Sequence, residues 1–534
     1  MRFQHRSLRK KQSEAARASD ASDEAGKNTS LGDDLDDTIN RIKAELGSGD
    51  LIVNVSEINP DRHIRFACVY IDNLISNQIL SGYSVELGEI LASGDSLKAH
   101  NPTDFFNLLK YKFSSLRKVS QGSDLEQVLD GLLSGALVYL IDGHNEFLAI
   151  DAYSPEGRAI EEPTSQSIVK GPKDGFTENI GVNIALIRKR IRDKALKSEY
   201  LTLGTRTKTK VALMYIDGLA KREIVDEVRR RLNAIQIDGI LETGYIEELA
   251  KDNRYSIFPT SLNSEKPDTV AGCLLEGKAA IFVDGTPFVL TVPALFAEFF
   301  QASEDYYHLF HIATLVRLFR YLALILSMFV PALYIALASF HQEMIPTPLL
   351  ISMLAQREGV PFPTAIEVLL MEVVFEILRE AGIRMPRVIG PAISIVGALV
   401  LGQAAVEAGI ISAVIVIVVS ITAISSFAIP NYGMGNSVRI VRFIMIFIAS
   451  EFGLMGVFFG TIALLLELCR SKSVGVPYMS PFAPKAKIAT KDTILRFPMW
   501  KSMARPEGIS AETSPRVNGQ NIVTAKQKQQ PEFR

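Results

Sequence analysis

From residue 321 to residue 468 the chain runs in long apolar stretches, whereas the part before it mixes apolar and polar positions at the short periods of a water-facing fold. Residues 388–429 carry one charge, Glu407, near their middle. A spanning helix needs about 20 apolar residues. That run therefore predicts two helices, 388–406 and 410–429, turning at Glu407-Ala408-Gly409. Gly390, Gly397, Gly402 and Ala404 suit close packing of the pair. Residues 321–340 predict another span, entered past Arg317 and Arg320, and 443–468 predict the last, entered past Arg439 and Arg442. Residues 289–300 are apolar but too short to span, and predict an amphipathic, interfacial helix.

Between these runs the pattern weakens. Residues 341–363 are broken by Pro346, Pro348, Gly359, Pro361 and Pro363, and 364–378 are apolar yet hold Glu367, Glu372 and Glu376. Carboxylates at membrane depth are costly and usually attend a water-filled path. Two readings stay open: an acidic face lining a cation path, or an interfacial helix with a wet acidic face. Glu451, alone in the last span, is a further candidate pore or gating residue. Arg317 and Arg320 place the entry to the first span, and the water-facing half before it, in the cytoplasm, but the sides of the later segments stay open. Counting 364–378 as a span makes Arg379, Arg384, Arg387, Arg439 and Arg442 cytoplasmic, but puts the basic tail (Arg470, Lys472, Lys485, Lys487, Lys491) outside. A re-entrant segment reverses both assignments.

The water-facing half contains an internal repeat. VYIDNL (69–74) is echoed by MYIDGL (214–219), and LLSGALVYLIDGHNEFLAI (132–150) by LLEGKAAIFVDGTPFVLTV (274–292). The similar offsets mean that a domain is duplicated. Each copy predicts a strand ending in Asp72 or Asp217, a natural helix N-cap, then helices, then a hairpin through Asp142-Gly143 or Asp284-Gly285. Residues 221–235 give the clearest helix, with Ile224, Val225, Val228, Leu232 and Ile235 on its apolar face. The four repeated aspartates sit where caps and turns want them, with no nucleophile or metal-ligand spacing nearby, so no catalytic residue, cofactor or metal site is expected.

The fold class is thus two duplicated small α/β subdomains followed by an all-α polytopic membrane domain. The expected division is a disordered tail over 1–35, subdomain 1 over 36–155, and a linker loop with a basic helix, its face solvated or against the membrane surface, over 156–204. Subdomain 2 follows over 205–292, a membrane domain of four to five spans with a re-entrant or amphipathic segment over 293–470, and a tail over 471–534. Three scattered cysteines imply no disulfide framework, and the net charge of -2 gives no pointer to nucleic acid. The basic N-terminus lacks an apolar h-region and is not a secretory signal.

Longer motifs carry a resemblance. They are GPKDGFTENIGVNIALIRKRI (171–191), MYIDGL (214–219), ETGYIEELAKDNRYSIFPT (242–260), REGVPFP (357–363), REAGIRMP (379–386), SIVGALVLGQAAVEAG (394–409) and GVPYMSPFAP (475–484). Over about residues 36–500 the chain resembles the A subunits of GerA-type spore germinant receptors. The resemblance implies an inner spore membrane location, a transporter-like B subunit and a lipoprotein C subunit as partners, self-association, and triggering of ion release, with no catalytic residues. A stage V sporulation paralogue of the same family, tied to dipicolinate release, is the alternative. A membrane-anchored enzyme would need a clustered nucleophile, base or metal set, and a lone secondary transporter an inverted repeat; neither is visible.

Overall fold

The computed structural model describes residues 31–58, 64–92, 101–115, 118–153, 168–384, 402–484 and 492–499, with a few single positions beside them. The expected N-terminal tail and the helix over 388–406 fall mostly outside the described residues. The chain forms two compact units.

The first unit holds both copies of the repeat. Copy one runs α1 (Leu35–Leu46), β1 (Leu51–Ile58), β2 (Ile64–Ile71), α2 (Asn77–Ala92), α3 (Pro102–Ser114), β3 (Val119–Gly122), α4 (Leu125–Leu133), β4 (Ala136–Ile141), β5 (Phe147–Asp151). Copy two runs α5 (Ile180–Arg190), β6 (Leu196–Leu203), β7 (Thr209–Ile216), α6 (Arg222–Ala234), β8 (Leu262–Ser264), α7 (Pro267–Leu275), β9 (Ala279–Val283), β10 (Val289–Val292). Strand order is the same in both, β1-β2-β4-β5-β3 and β6-β7-β9-β10-β8. Their first two strands form matching antiparallel ladders, Leu51↔Ile71 to Ile58↔Ile64 and Leu196↔Ile216 to Leu203↔Thr209. Alternation of apolar residues explains the sheets, and amphipathic helices such as α6 bury Ile224, Val225, Val228 and Leu232.

Several sequence expectations are corrected here. The linker and basic helix over 156–204 are in large part the start of copy two, since α5 and β6 match α1 and β1. Every residue of α5 from Ile180 to Arg188 is buried. Residues 289–300 are no single helix: Val289–Val292 joins the sheet, and a short 3-10 turn, Phe296–Phe300, follows Pro293, which has no N–H to extend a ladder. Asp72 and Asp217 are not N-caps. They stand in turns ahead of α2 and α6, and Lys221 occupies the N-cap of α6.

The hairpin aspartates cap helices that the sequence did not connect to them. Asp142 Oδ1 accepts from the Leu35 amide at 3.1 Å, and Asp284 Oδ1 from the Ile180 amide at 3.2 Å. The next residues, Gly143 (φ 77°) and Gly285 (φ 94°), donate to Asp33 and Glu178 carbonyls, each at 2.8 Å. Each β-turn thus closes the N-terminus of the first helix in its own copy, where free amides favour a carboxylate.

The second unit is helical: α8 (Phe310–Phe340), α9 (Thr347–Arg357), α10 (Thr364–Arg384), α11 (Ala413–Phe427) and α12 (Tyr432–Arg470). Helices α8 and α12 are long and apolar enough to cross a membrane. Asn431 opens α12 by accepting from the Met434 amide at 3.0 Å, with Gly433 and Gly435 in the first turn.

Helix α12 is not one rod. Gly453 takes φ 59°, ψ -142°, and the chain folds back there. A Cβ on Gly456 would stand 2.7 Å from the Ile448 carbonyl, and one on Gly460 would stand 2.8 Å from Met445 Sδ. Residues fifteen apart on a straight helix lie about 22 Å apart. Lower down, Ser437 donates to the Ile257 carbonyl at 2.7 Å while Asn253 reaches Glu467 at 3.4 Å. All three pairings centre on Phe452–Gly453, so α12 is an antiparallel hairpin. The single last span expected over 443–468 is corrected accordingly.

The hairpin fixes two ends of the bundle. At one, the chain enters α8 and leaves α12: Ala294 donates to Ser473 Oγ at 2.9 Å, and Arg317 binds Asp305 and Asp492 at 2.8 and 2.9 Å. Thr314 and Arg496 exchange hydrogen bonds of 3.1 Å in both directions. At the other end, a Cβ on Gly453 would meet Phe340 and His341 at 3.0 and 3.1 Å.

Candidate functional site

The expected acidic residues of α10 turn inward. Its exposed stripe is apolar (Ile366, Leu370, Val373, Ile377), while Glu367 and Glu372 are fully buried. An α-helix sets residues four apart on one face, so Glu372 and Glu376 meet the same neighbour, the first arm of α12. That arm offers Arg439 and Arg442, three apart on one face. Arg442 Nη1 lies 3.4 Å from Glu372 Oε2, and Arg442 Nη2 lies 3.3 Å from Glu376 Oε1. Arg439 Nη1 lies 2.7 Å from Glu376 Oε2, with Arg379 at 3.8 Å from the same carboxylate. The site is therefore two carboxylates and three guanidinium groups inside an apolar bundle.

It is not a fully satisfied network. Neither oxygen of Glu372 accepts a hydrogen bond, and Nε and Nη1 of Arg442 donate none. Arg442 stands ten residues from each end of its arm, about 15 Å from either, at the arm's middle.

Glu367 stands apart from this cluster. Its Oε2 accepts from the Ser412 amide at 3.0 Å, at the N-terminus of α11, and its Oε1 lies 3.5 Å from Arg357. That is the position in which a helix terminus stabilises a carboxylate. Glu451 is exposed, two residues before the Gly453 turn. Glu380 pairs with Arg384 on the surface.

The sequence reading missed Arg439 and Arg442 as partners and used them as markers of orientation. The signal was present: arginines three apart and glutamates four apart are matching helical spacings.

The first unit holds one buried ion pair between the two copies. Arg188 Nε and Nη2 bind Asp50 Oδ2 and Oδ1 at 2.6 and 2.8 Å, and Ser48 donates to Asp50 at 2.6 Å. Gly49 and Ser198 complete the joint, with the Gly49 amide donating to the Ser198 carbonyl at 2.9 Å. The same unit has a cavity of about 440 Å³ whose lining includes Lys118, Lys189 and Arg192 with Asp151. Among the described residues no cluster of His, Cys, Asp and Glu could hold a metal ion.

Two helices long and apolar enough to cross a membrane, a buried charge cluster among them and a duplicated α/β unit point to a membrane protein with a large α/β module. Residues 37–508 match the family described as Bacillus/Clostridium GerA spore germination protein, and the chain belongs to that family. It is 45% identical over 471 residues to spore germination protein KA of Bacillus subtilis, covering 88% of this chain and 86% of that one. It is 37% identical over 490 residues to spore germination protein GerLA of Bacillus cereus, covering 92% and 98%. A crystal structure of the N-terminal domain of the A subunit of the Bacillus megaterium spore germinant receptor GerK3 is 36% identical, covering 50% of this chain and 97% of that one, with a TM-score of 0.41.

Proposed function

We propose that this chain is the A subunit of a nutrient germinant receptor in the spore inner membrane, and that it gates ion release at the onset of germination. The observation that carries the gating is the buried cluster of Glu372, Glu376, Arg379, Arg439 and Arg442. Ionic groups inside an apolar bundle are costly and mark ion paths or relays. Membership of the GerA family and the names of the relatives support the receptor role.

In this reading a nutrient bound elsewhere in the complex biases a two-state membrane assembly. The transporter-like B subunit and the lipoprotein C subunit are its partners, and copies of the chain associate around the ion path. Glu372 and Glu376 gate that path, Glu451 stands at its outer mouth, and Glu367 holds α10 to α11. The chain performs no catalysis.

We also infer an even number of crossings. Entry into α8 and exit from α12 share one end of the bundle, where Arg317, Arg320, Arg470 and Lys472 collect. Glu343, Glu358, Glu407 and Glu451 belong to the other end. By the positive-inside rule, the first is cytoplasmic, along with the α/β unit and the tail. The parity conflict disappears once the last apolar stretch is counted twice.

The test is early potassium release from spores carrying Glu372→Gln or Glu376→Gln, with receptor abundance measured in parallel. Release should be delayed or lost. Normal release at normal abundance would overturn the gating role of these carboxylates.

A further inference from the structure

We propose that Arg442 is the resident counter-cation of the closed path: it bridges Glu372 and Glu376 until the receptor fires, then withdraws onto Glu376 alone and leaves Glu372 to a permeant monovalent cation. This rests on the gating reading above and adds the residue that keeps the path shut.

The argument begins with a contrast inside the chain. Among the described residues, two of its deeply buried arginine–carboxylate pairs are built differently. Arg188 and Asp50 are bidentate at 2.6 and 2.8 Å, with Ser48 on the same carboxylate. Arg442 and Glu372 are equally buried, at 1% and 0% exposure, yet touch once at 3.4 Å. Both oxygens of Glu372 lack a hydrogen bond. A buried pair needs good geometry and full hydrogen bonding to offset desolvation. A half-satisfied one is high in energy and has something to gain from rearrangement.

The alternative acceptor is already in reach. Glu376 sits one turn along α10, with its Oε1 3.3 Å from Arg442 Nη2. Glu376 is 22% exposed and also holds Arg439. A shift of less than one helical turn between α10 and the first arm of α12 draws Arg442 off Glu372 while it keeps Glu376. It would strip Glu372 of the one close cation it has among the described residues. A bare carboxylate in an apolar interior demands a positive partner, and a potassium ion can meet that demand.

Neighbouring structure favours such a shift over repacking. The outer stripe of α10 is apolar and needs no change of partner. Phe443 lies against the Arg442 guanidinium, 5.9 Å from ring centre to Cζ, and can follow it as a cation–π partner.

The experiment uses spores with the full receptor, a mixture of amino acids, sugars and nucleosides as the stimulus, and potassium release as the readout. Arg442→Gln should release potassium without nutrient, at least tenfold above the unmodified receptor. Arg442→Lys should stay closed. The double variant Glu372→Gln, Arg442→Gln should not leak, because no bare carboxylate remains; a purely structural role for Arg442 would leave the leak unchanged or worse. No leak from abundant Arg442→Gln, or a leak that survives the double variant, overturns the proposal. If Glu372→Gln alone abolishes triggered release, the gating reading stands whichever way Arg442 behaves. Should Arg442→Gln fail to accumulate, the charge swap Glu372→Arg, Arg442→Glu decides: recovered abundance with a closed baseline supports the pair, and no recovery overturns it.

Discussion

Replacing Asp50 by Ala tests whether the two copies of the repeat are one mechanical body. The substitution removes both Arg188 contacts, at 2.6 and 2.8 Å, and the acceptor of Ser48. It leaves a guanidinium that is 1% exposed with no counter-charge. Stranding one member of a buried pair costs about 3–5 kcal/mol. Urea slopes are roughly 1–3 kcal/mol/M, so unfolding of the α/β unit should move down by about 2 M. Asp50→Asn keeps an acceptor and should lose less than half of that. Arg188→Met with Asp50→Leu replaces the pair by apolar volume and should restore most of the stability, since such exchanges are often neutral. Urea titration of the purified full chain in detergent, read by hydrogen exchange at β1 and β6 amides, separates these cases. A shift below about 0.5 M for Asp50→Ala, or strictly additive effects of the two single changes, would refute the claim that this pair joins the copies.

Other expectations follow from single residues. Gly453→Ala puts a Cβ within 3.0 Å of Phe340 on a backbone of φ 59°, ψ -142°; strain of about 1–3 kcal/mol should lower receptor abundance in the membrane, whereas Gly435→Ala, with open space around it, should not. Cys469 is exposed and Cys68 and Cys273 are buried, so a membrane-impermeant maleimide should label native protein in inside-out vesicles and spare it in right-side-out ones; the reverse would refute the cytoplasmic placement of the end where α12 leaves the bundle. Burial pushes the Cys68 thiol from 9.0 up to about 12. The folded thiol keeps its proton where the unfolded one loses it, so this contribution is complete below pH 9 and disappears as pH rises through 12. Stability should fall by about 1.4 kcal/mol per pH unit from this group, and Cys68→Ala should flatten the fall seen in urea titrations between pH 9 and 10, before Tyr139, also pushed up by burial, contributes.

The α/β half was legible because its signals are local. Strands, the α6 face and the Asp-Gly turns follow from side-chain period and turn chemistry within a few residues. What the sequence hid there is long-range. Asp142 caps a helix 107 positions away, and Arg188 meets a carboxylate 138 positions away. No window along the chain contains either pair. The basic end of α5 looked solvated because its partner lies in the other copy.

In the membrane unit, one misread pair of arginines concealed two features. Arg439 and Arg442 seemed to mark the water edge of the last span, which shortened it to residues 443–468 and made it a plausible single crossing. The helical stretch is in fact 39 residues, about 58 Å at 1.5 Å per residue, nearly twice a 30 Å hydrocarbon core. A continuous stretch of that length must tilt steeply, leave the membrane or fold back, and Gly453, Gly456 and Gly460 supply the turn and the close approach of its arms. The arginines are tolerated inside the first arm because Glu372 and Glu376 face them from α10. The carboxylates therefore explain why the arm can begin as early as Tyr432, and the arm explains why the carboxylates are not exposed. Neutralising them should thus reach beyond gating: Glu372→Gln with Glu376→Gln leaves Arg442 inside the bundle without a carboxylate, so the first arm should lose its packing. Cys469 labelling would then lose its one-sidedness, while Glu451→Gln, outside the cluster, should leave it intact.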